Sequence, residues 1–188
     1  MTGTAHSSTV RRMNLILRAA SFARRAHADQ RRKYNDRPYI QHPARVAGRV
    51  AAHPDATEVM VAAAFLHDVV EDTPHTLNEI VAEFGPDVAR LVAELTSPSK
   101  GMKASRHERK QIDRDHLAVV SVEAKIIKLL DRIDNLQEMA AAPSGFRKKY
   151  CEESRLLAEV IGDAAPELKA ELLDCVEKLD AGSESWKP

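Results

Sequence analysis

Cysteine is nearly absent from this sequence. Cys151 and Cys175 stand far apart and form no Cys-x-x-Cys pair, which argues against a disulfide framework or a thiolate zinc site. Both are expected to be reduced and half-buried. An excess of one charge is missing as well. The 28 Lys and Arg balance the 28 Asp and Glu, whereas a dedicated nucleic-acid binder usually carries a basic surplus. No apolar run approaches the roughly 20 residues of a membrane span. Residues 1–10 are small and polar, without the apolar stretch of a signal peptide. Aromatic residues make up only 4% of the chain, while Ala, Leu, Glu and Arg are abundant, a balance that favours helix over sheet. These observations predict a cytoplasmic protein with no nucleic-acid or membrane partner. They leave its oligomeric state open.

A chain of 188 residues is long enough to bury one real core. The expectation is a single all-α domain over 1–188, a helical bundle with frayed tails at 1–8 and 181–188. From about Thr9 to Ala28, Val10, Met13, Ile16, Leu17, Ala20 and Ala23 recur at helical spacing. Gln30 to Gln41 breaks that pattern as a polar, basic loop. A short helix is expected from Pro43 to about Ala52, since proline suits the first helical position. Asp55 with Glu58 reads as a capping box opening one helix from Ala56 to about Asp72. That segment is apolar nearly all round, as in a central, buried helix.

Thr76 and Glu79 read as a second capping box, Gly85 as a stop and Pro86 as the next start. A polar helix is expected over Arg106 to Val119. Ser121 caps an apolar helix carrying Ile126, Ile127, Leu129, Leu130, Ile133 and Leu136, and two more helices follow Pro143.

The informative residues are polar ones on the two apolar helices. If 56–72 is continuous, His67, Asp68, Glu71 and Asp72 share an arc of roughly 140°. Burying carboxylates beside a core helix is costly unless a counter-charge compensates. The second helix carries Lys128, Asp131, Arg132 and Asn135, with Asp131 and Asn135 one turn apart. His42 precedes Pro43 in the loop. His42, His67, Asp68 and Asp131 together supply two imidazoles and two carboxylates, a set suited to Mn²⁺, Fe²⁺ or Zn²⁺. Tetrahedral closure makes such a site structural, and open positions make it catalytic.

At these residues the sequence resembles the HD superfamily of metal-dependent phosphohydrolases, with its order H…HD…D. It is more similar still to the hydrolase domain of the RelA/SpoT alarmone enzymes and their small stand-alone relatives. The resemblance rests on Gln30-Arg31-Arg32-Lys33, Pro38-Tyr39-Ile40-Gln41-His42-Pro43, Ala64 through Thr73, Phe84-Gly85 and Lys128 through Leu136. It implies an HD-type bundle with Mn²⁺ on His42, His67, Asp68 and Asp131. It also implies that Glu71 and Asp72 activate and orient the attacking water. Arg32, Lys33, Arg106 and Asn135 match positions that contact the nucleotide. The implied reaction is hydrolysis of the 3′-pyrophosphate of (p)ppGpp to GDP or GTP and pyrophosphate, and the length predicts a hydrolase-only chain.

Three departures concern substrate recognition. Tyr34-Asn35-Asp36-Arg37 lacks the glycine usual before Pro-Tyr, Gln137 replaces a frequent arginine, and after Pro143 only Tyr150 offers a nucleotide-facing aromatic. They motivate two alternatives: another nucleotide, such as an adenosine alarmone, NADPH or a nucleoside phosphate, or a binding module without turnover. The basic run from Arg24 to Arg37 is expected to meet phosphate, and Arg147-Lys148-Lys149 to be solvated surface. His6, His27, His53, His75, His107 and His116 read as surface or capping residues, and Trp186 as one that packs locally or at a subunit contact.

Overall fold

The computed structural model describes residues 4–181, with side chains from Leu15 onward. Trp186, the side chain of His6 and most of the two expected tails lie outside the described residues. The described residues form helices and connecting turns with no β-strand, and no described helix is long and apolar enough to cross a membrane. They divide into two compact units. One draws on the chain up to Gln30 and on Pro38–Thr96, the other on Arg31–Arg37 and the chain from Ser97.

The first unit contains α1 (Thr4–Ala26), α2 (Gln41–Ala51), α3 (Glu58–Leu66), α4 (Val69–Asp72), α5 (Leu77–Phe84) and α6 (Pro86–Leu95). Helix α3 is its centre and packs against α1, α2 and α6. Met60, Val61, Ala62, Ala63, Ala64 and Leu66 are all buried, and the three alanines let neighbouring backbones approach closely. Each fully buried Met or Leu contributes on the order of 1.5–3 kcal/mol. Gly85, at φ 86°, takes the left-handed conformation that ends α5, and Pro86 opens α6 at once.

The second unit contains α7 (Arg106–Val119), α8 (Val122–Glu138), α9 (Ser144–Ile161) and α10 (Pro166–Asp180). Helix α8 packs on α9 and α10, and α7 packs on α9. Ile126, Ile127, Leu129, Leu130, Ile133 and Leu136 form the buried face of α8. Cys151 and Cys175 form no disulfide and are buried, more deeply than the half-burial expected. Burial, with Asp180 beside it, pushes the Cys151 thiol up to about 11, so it stays an inert, protonated core residue.

Several boundaries differ from those read in the sequence. Helix α1 starts at Thr4, ahead of Thr9. Helix α2 starts at Gln41, so His42 lies in its first turn rather than in a loop. Pro43 fits there because the first four N–H groups of a helix have no intrahelical partner. The N-cap of α3 is Thr57, whose hydroxyl accepts from Met60 N at 3.2 Å, and not Asp55. The single helix expected over 56–72 is broken at His67-Asp68. The capping box at Thr76 and Glu79 and the cap at Ser121 form as expected. Ser105 and Glu108 add a further box at the start of α7.

Candidate functional site

The break between α3 and α4 determines how the first unit presents its donors. Successive residues of a continuous helix do not face one another. Asp68 takes ψ −6°, well away from the roughly −42° of a regular helix, and its carboxylate turns back toward its neighbour. His67 Nε2 lies 3.1 Å from Asp68 Oδ2. His42 Nε2, brought in by the first turn of α2, lies 3.6 Å from the same oxygen. Both imidazoles are buried, and their rings meet edge to face at 5.2 Å.

The second nitrogen of His67 fixes the chemistry of the first. Nδ1 sits 2.8 Å from the Ala64 carbonyl oxygen, which can only accept, so Nδ1 carries the proton. With the ring neutral, as a metal ligand must be, Nε2 aims a lone pair at a carboxylate oxygen. Two acceptors at 3.1 Å repel unless a positive charge lies between them. A divalent cation supplies that charge to both imidazoles and the carboxylate at once, and a ligand histidine backed by a carbonyl is the usual arrangement. The donor set fits a first-row cation.

Tyr39 closes this cluster from the side. Its hydroxyl donates to Asp68 Oδ2 at 2.6 Å and lies 3.3 Å from Asp72 Oδ2. Gln30 Nε2 donates to the Asp72 carbonyl at 2.6 Å. Glu71 is half-buried and Asp72 exposed on α4, so the acid pair follows the His-Asp step within one turn.

In the second unit the nominated residues form one hydrogen-bonded chain. Lys128 Nζ donates to Asp131 Oδ2 at 2.7 Å and Asn135 Nδ2 to Asp131 Oδ1 at 2.6 Å. Arg32 Nη2 donates to Asn135 Oδ1 at 2.6 Å, and Arg32 Nε to Glu138 Oε2 at 2.7 Å. Asp131 and Arg32 are buried. Lys33 and Arg106 stand apart from that chain and converge on an aromatic group. Lys33 Nζ lies 5.7 Å and Arg106 Cζ 5.2 Å from the Phe146 ring centroid. Tyr34 and Tyr150 flank Phe146 at 6.3 and 6.0 Å. Arg106 is also held by two bonds to Glu153, at 2.7 and 2.8 Å. Burial pushes the Tyr150 phenol above its ordinary value against the opposing Arg132 guanidinium, which lies 4.5 Å over the ring.

Sequence reasoning missed Phe146, although its four-residue spacing to Tyr150 places the two on one helix face. It gave Tyr39 no role. It also read His27 as surface or cap, whereas the ring is buried. The available signal was the four-residue step Ala19, Ala23, His27, which continues the buried stripe of α1 one residue past its end. The glycine missing from the loop is replaced in conformation by Asp36, which takes φ 54°, a region that aspartate tolerates better than most residues.

The HD-domain family profile matches residues 19–181. A guanosine-3′,5′-bis(diphosphate) 3′-pyrophosphohydrolase of Xenopus tropicalis is 39% identical over 142 residues, covering 74% of this chain and 78% of that protein. Its Homo sapiens counterpart is 39% identical over 141 residues, covering 73% and 77%. The solved structure of a metazoan ortholog of SpoT that hydrolyzes ppGpp superimposes with TM-score 0.70 at 30% identity, covering 88% of this chain and 93% of that one. With its two-imidazole, one-carboxylate cluster at the His-Asp step, and with relatives of this kind, the chain belongs to the HD-domain family, in its RelA/SpoT-type group.

Proposed function

We propose that this protein hydrolyses the 3′-pyrophosphate of guanosine alarmones, converting (p)ppGpp and water to GDP or GTP and pyrophosphate. The observation that carries the metal-dependent class is the convergence of His42 and His67 Nε2 on Asp68 Oδ2. The substrate class is supported by the relatives' activity. In this reading His42, His67, Asp68 and Asp131 hold the cation, with Mn²⁺ as the expected metal. When bound, the cation supplies Lewis-acid chemistry at the reacting phosphate.

The remaining steps belong to side chains. Glu71 accepts a proton from the attacking water while Asp72 holds its orientation, a division suited to adjacent carboxylates. Water adds to the phosphorus bonded to O3′, the O3′–P bond breaks, and O3′ takes up a proton as pyrophosphate departs. Lys33 and Arg106 offset phosphate charge, and the Phe146 group offers the base a stacking face. Arg32 and Asn135 act as a pre-oriented pair, because each is already fixed by the other. One family profile running over residues of both units supports reading them as a single phosphohydrolase domain. Zero net charge and the reduced cysteines support a cytoplasmic setting without a nucleic-acid partner.

A second reading keeps the metal chemistry and changes the base. It is favoured by Asp36 in place of the loop glycine and by Gln137. Initial rates on ppGpp, pppGpp, an adenosine alarmone and NADPH, with Mn²⁺, separate the two. The guanosine reading expects the highest kcat/KM on ppGpp or pppGpp. A clear preference for an adenine nucleotide would displace it.

A further inference from the structure

We infer that Tyr39 is a positioning residue that orients Asp68 toward the cation and fixes its spacing to Asp72, and that His27 and Gln30 hold it in place. The inference rests on the metal reading above. Tyr39 has one hydroxyl proton. The 2.6 Å contact to Asp68 Oδ2 is in the range of a charge-assisted O–H···O⁻ bond, so that proton belongs to Asp68. The 3.3 Å contact to Asp72 is longer and weaker, and ties the second acid to the same oxygen. One oxygen atom thus sets the separation between a candidate ligand and a candidate water-orienting acid.

The phenol is held from three directions. Its backbone N–H donates to the Gln30 carbonyl at 3.0 Å. Its ring packs tilted against His27, centroids 4.8 Å apart and planes 31° apart, and meets His42 edge-on at 5.9 Å. His27 is in turn oriented by Gln30. Gln30 Nε2 donates to the Asp72 carbonyl at 2.6 Å, which turns Oε1 toward His27 Nδ1 at 2.7 Å. His27 therefore carries its proton on Nδ1. Its buried Nε2 has no hydrogen-bond partner among the described residues, a position that a neutral acceptor tolerates and a charged donor does not. The buried His27 ring, fixed by Gln30, backs the phenol from one side. Gln30 thus braces the Tyr39 backbone, the His27 ring and the Asp72 backbone together.

The test compares the parent protein with Tyr39→Phe, which keeps the stack and removes only the hydroxyl. Circular dichroism establishes that both are folded. Titration with Mn²⁺ alone, followed by the electron paramagnetic resonance of free Mn²⁺, gives affinity without substrate. The expected loss is about 10- to 100-fold, the usual range for a residue behind a metal ligand. At saturating Mn²⁺, kcat on ppGpp is expected to fall with KM unchanged, because Asp72 loses its fixed spacing. Equal Mn²⁺ affinities, or a change carried wholly by KM, would overturn the inference while leaving the metal reading intact. A parent that bound no Mn²⁺ would remove the metal reading and this inference with it.

Discussion

Asp68 in the first unit and Asp131 in the second are both carboxylates set among apolar helices, yet their surroundings differ in kind. Asp131 is met by the Lys128 ammonium and the Asn135 amide, both within 2.7 Å. The same chain of bonds continues to an Arg32–Glu138 pair whose side chains are under a tenth exposed. Asp68 is met by two imidazole nitrogens and a phenol. The second unit compensates buried acid with permanent cations, so its geometry is set before any ligand arrives. The first compensates with groups whose lone pairs themselves seek a cation.

The largest expected effect comes from removing the acid that the first unit leaves to the cation. Asp68→Ala should reduce Mn²⁺ content to background by elemental analysis, and turnover with it. Retained stoichiometric Mn²⁺ would break the contrast between the units. Next in size is Arg32→Met. It leaves Glu138 as a buried charge without its guanidinium, a change that typically costs about 3–5 kcal/mol. The denaturant midpoint should fall accordingly while Mn²⁺ content stays near that of the parent. Metal loss there would mean that the second unit's ion pairs also set the first unit's site.

The smallest effect is electrostatic and local. Glu79 is held below the ordinary glutamate value of 4.5 by the Thr76 backbone N–H, then by His75 and the Thr76 hydroxyl. Glu108 is held below it by the Ser105 side chain and backbone. A depressed carboxylate stabilises the folded state above its unfolded value and loses that contribution as pH falls through its folded value. Amide protection relative to the intrinsic exchange rate in the first turns of α5 and α7 should therefore fall only below about pH 4.5 and stay constant near neutrality.

Much of this was legible in the sequence because it rests on local patterns. Dense apolar runs marked α3 and α8 as buried helices. Gly85-Pro86, Thr76 and Ser121 marked helix ends through backbone chemistry that a few residues determine. The His42, His67-Asp68 and Asp131 motif nominated candidate donors, but the arrangement of His42, His67 and Asp68 was not legible. A continuous helix over 56–72 would hold His67 and Asp68 apart, and the turn that joins them is set by tertiary contacts and not by propensity. Burial of His27 likewise depends on what packs over α1. Phe146 lies outside the His…His-Asp…Asp motif, and the cations gathered on it come from distant stretches of chain.

The central claim is that metal binding and proton transfer are separate duties within the His-Asp-x-x-Glu-Asp segment. Glu71→Gln preserves shape and most hydrogen bonding while removing the proton acceptor. Metal content and the rate of pyrophosphate release from ppGpp, measured on one Mn²⁺-loaded preparation beside the parent, test the separation directly. The account predicts near-parental metal with turnover down by about 10²-fold or more, as loss of a general base commonly gives. Loss of metal, with the residual rate proportional to occupancy, would make Glu71 a ligand and contradict it.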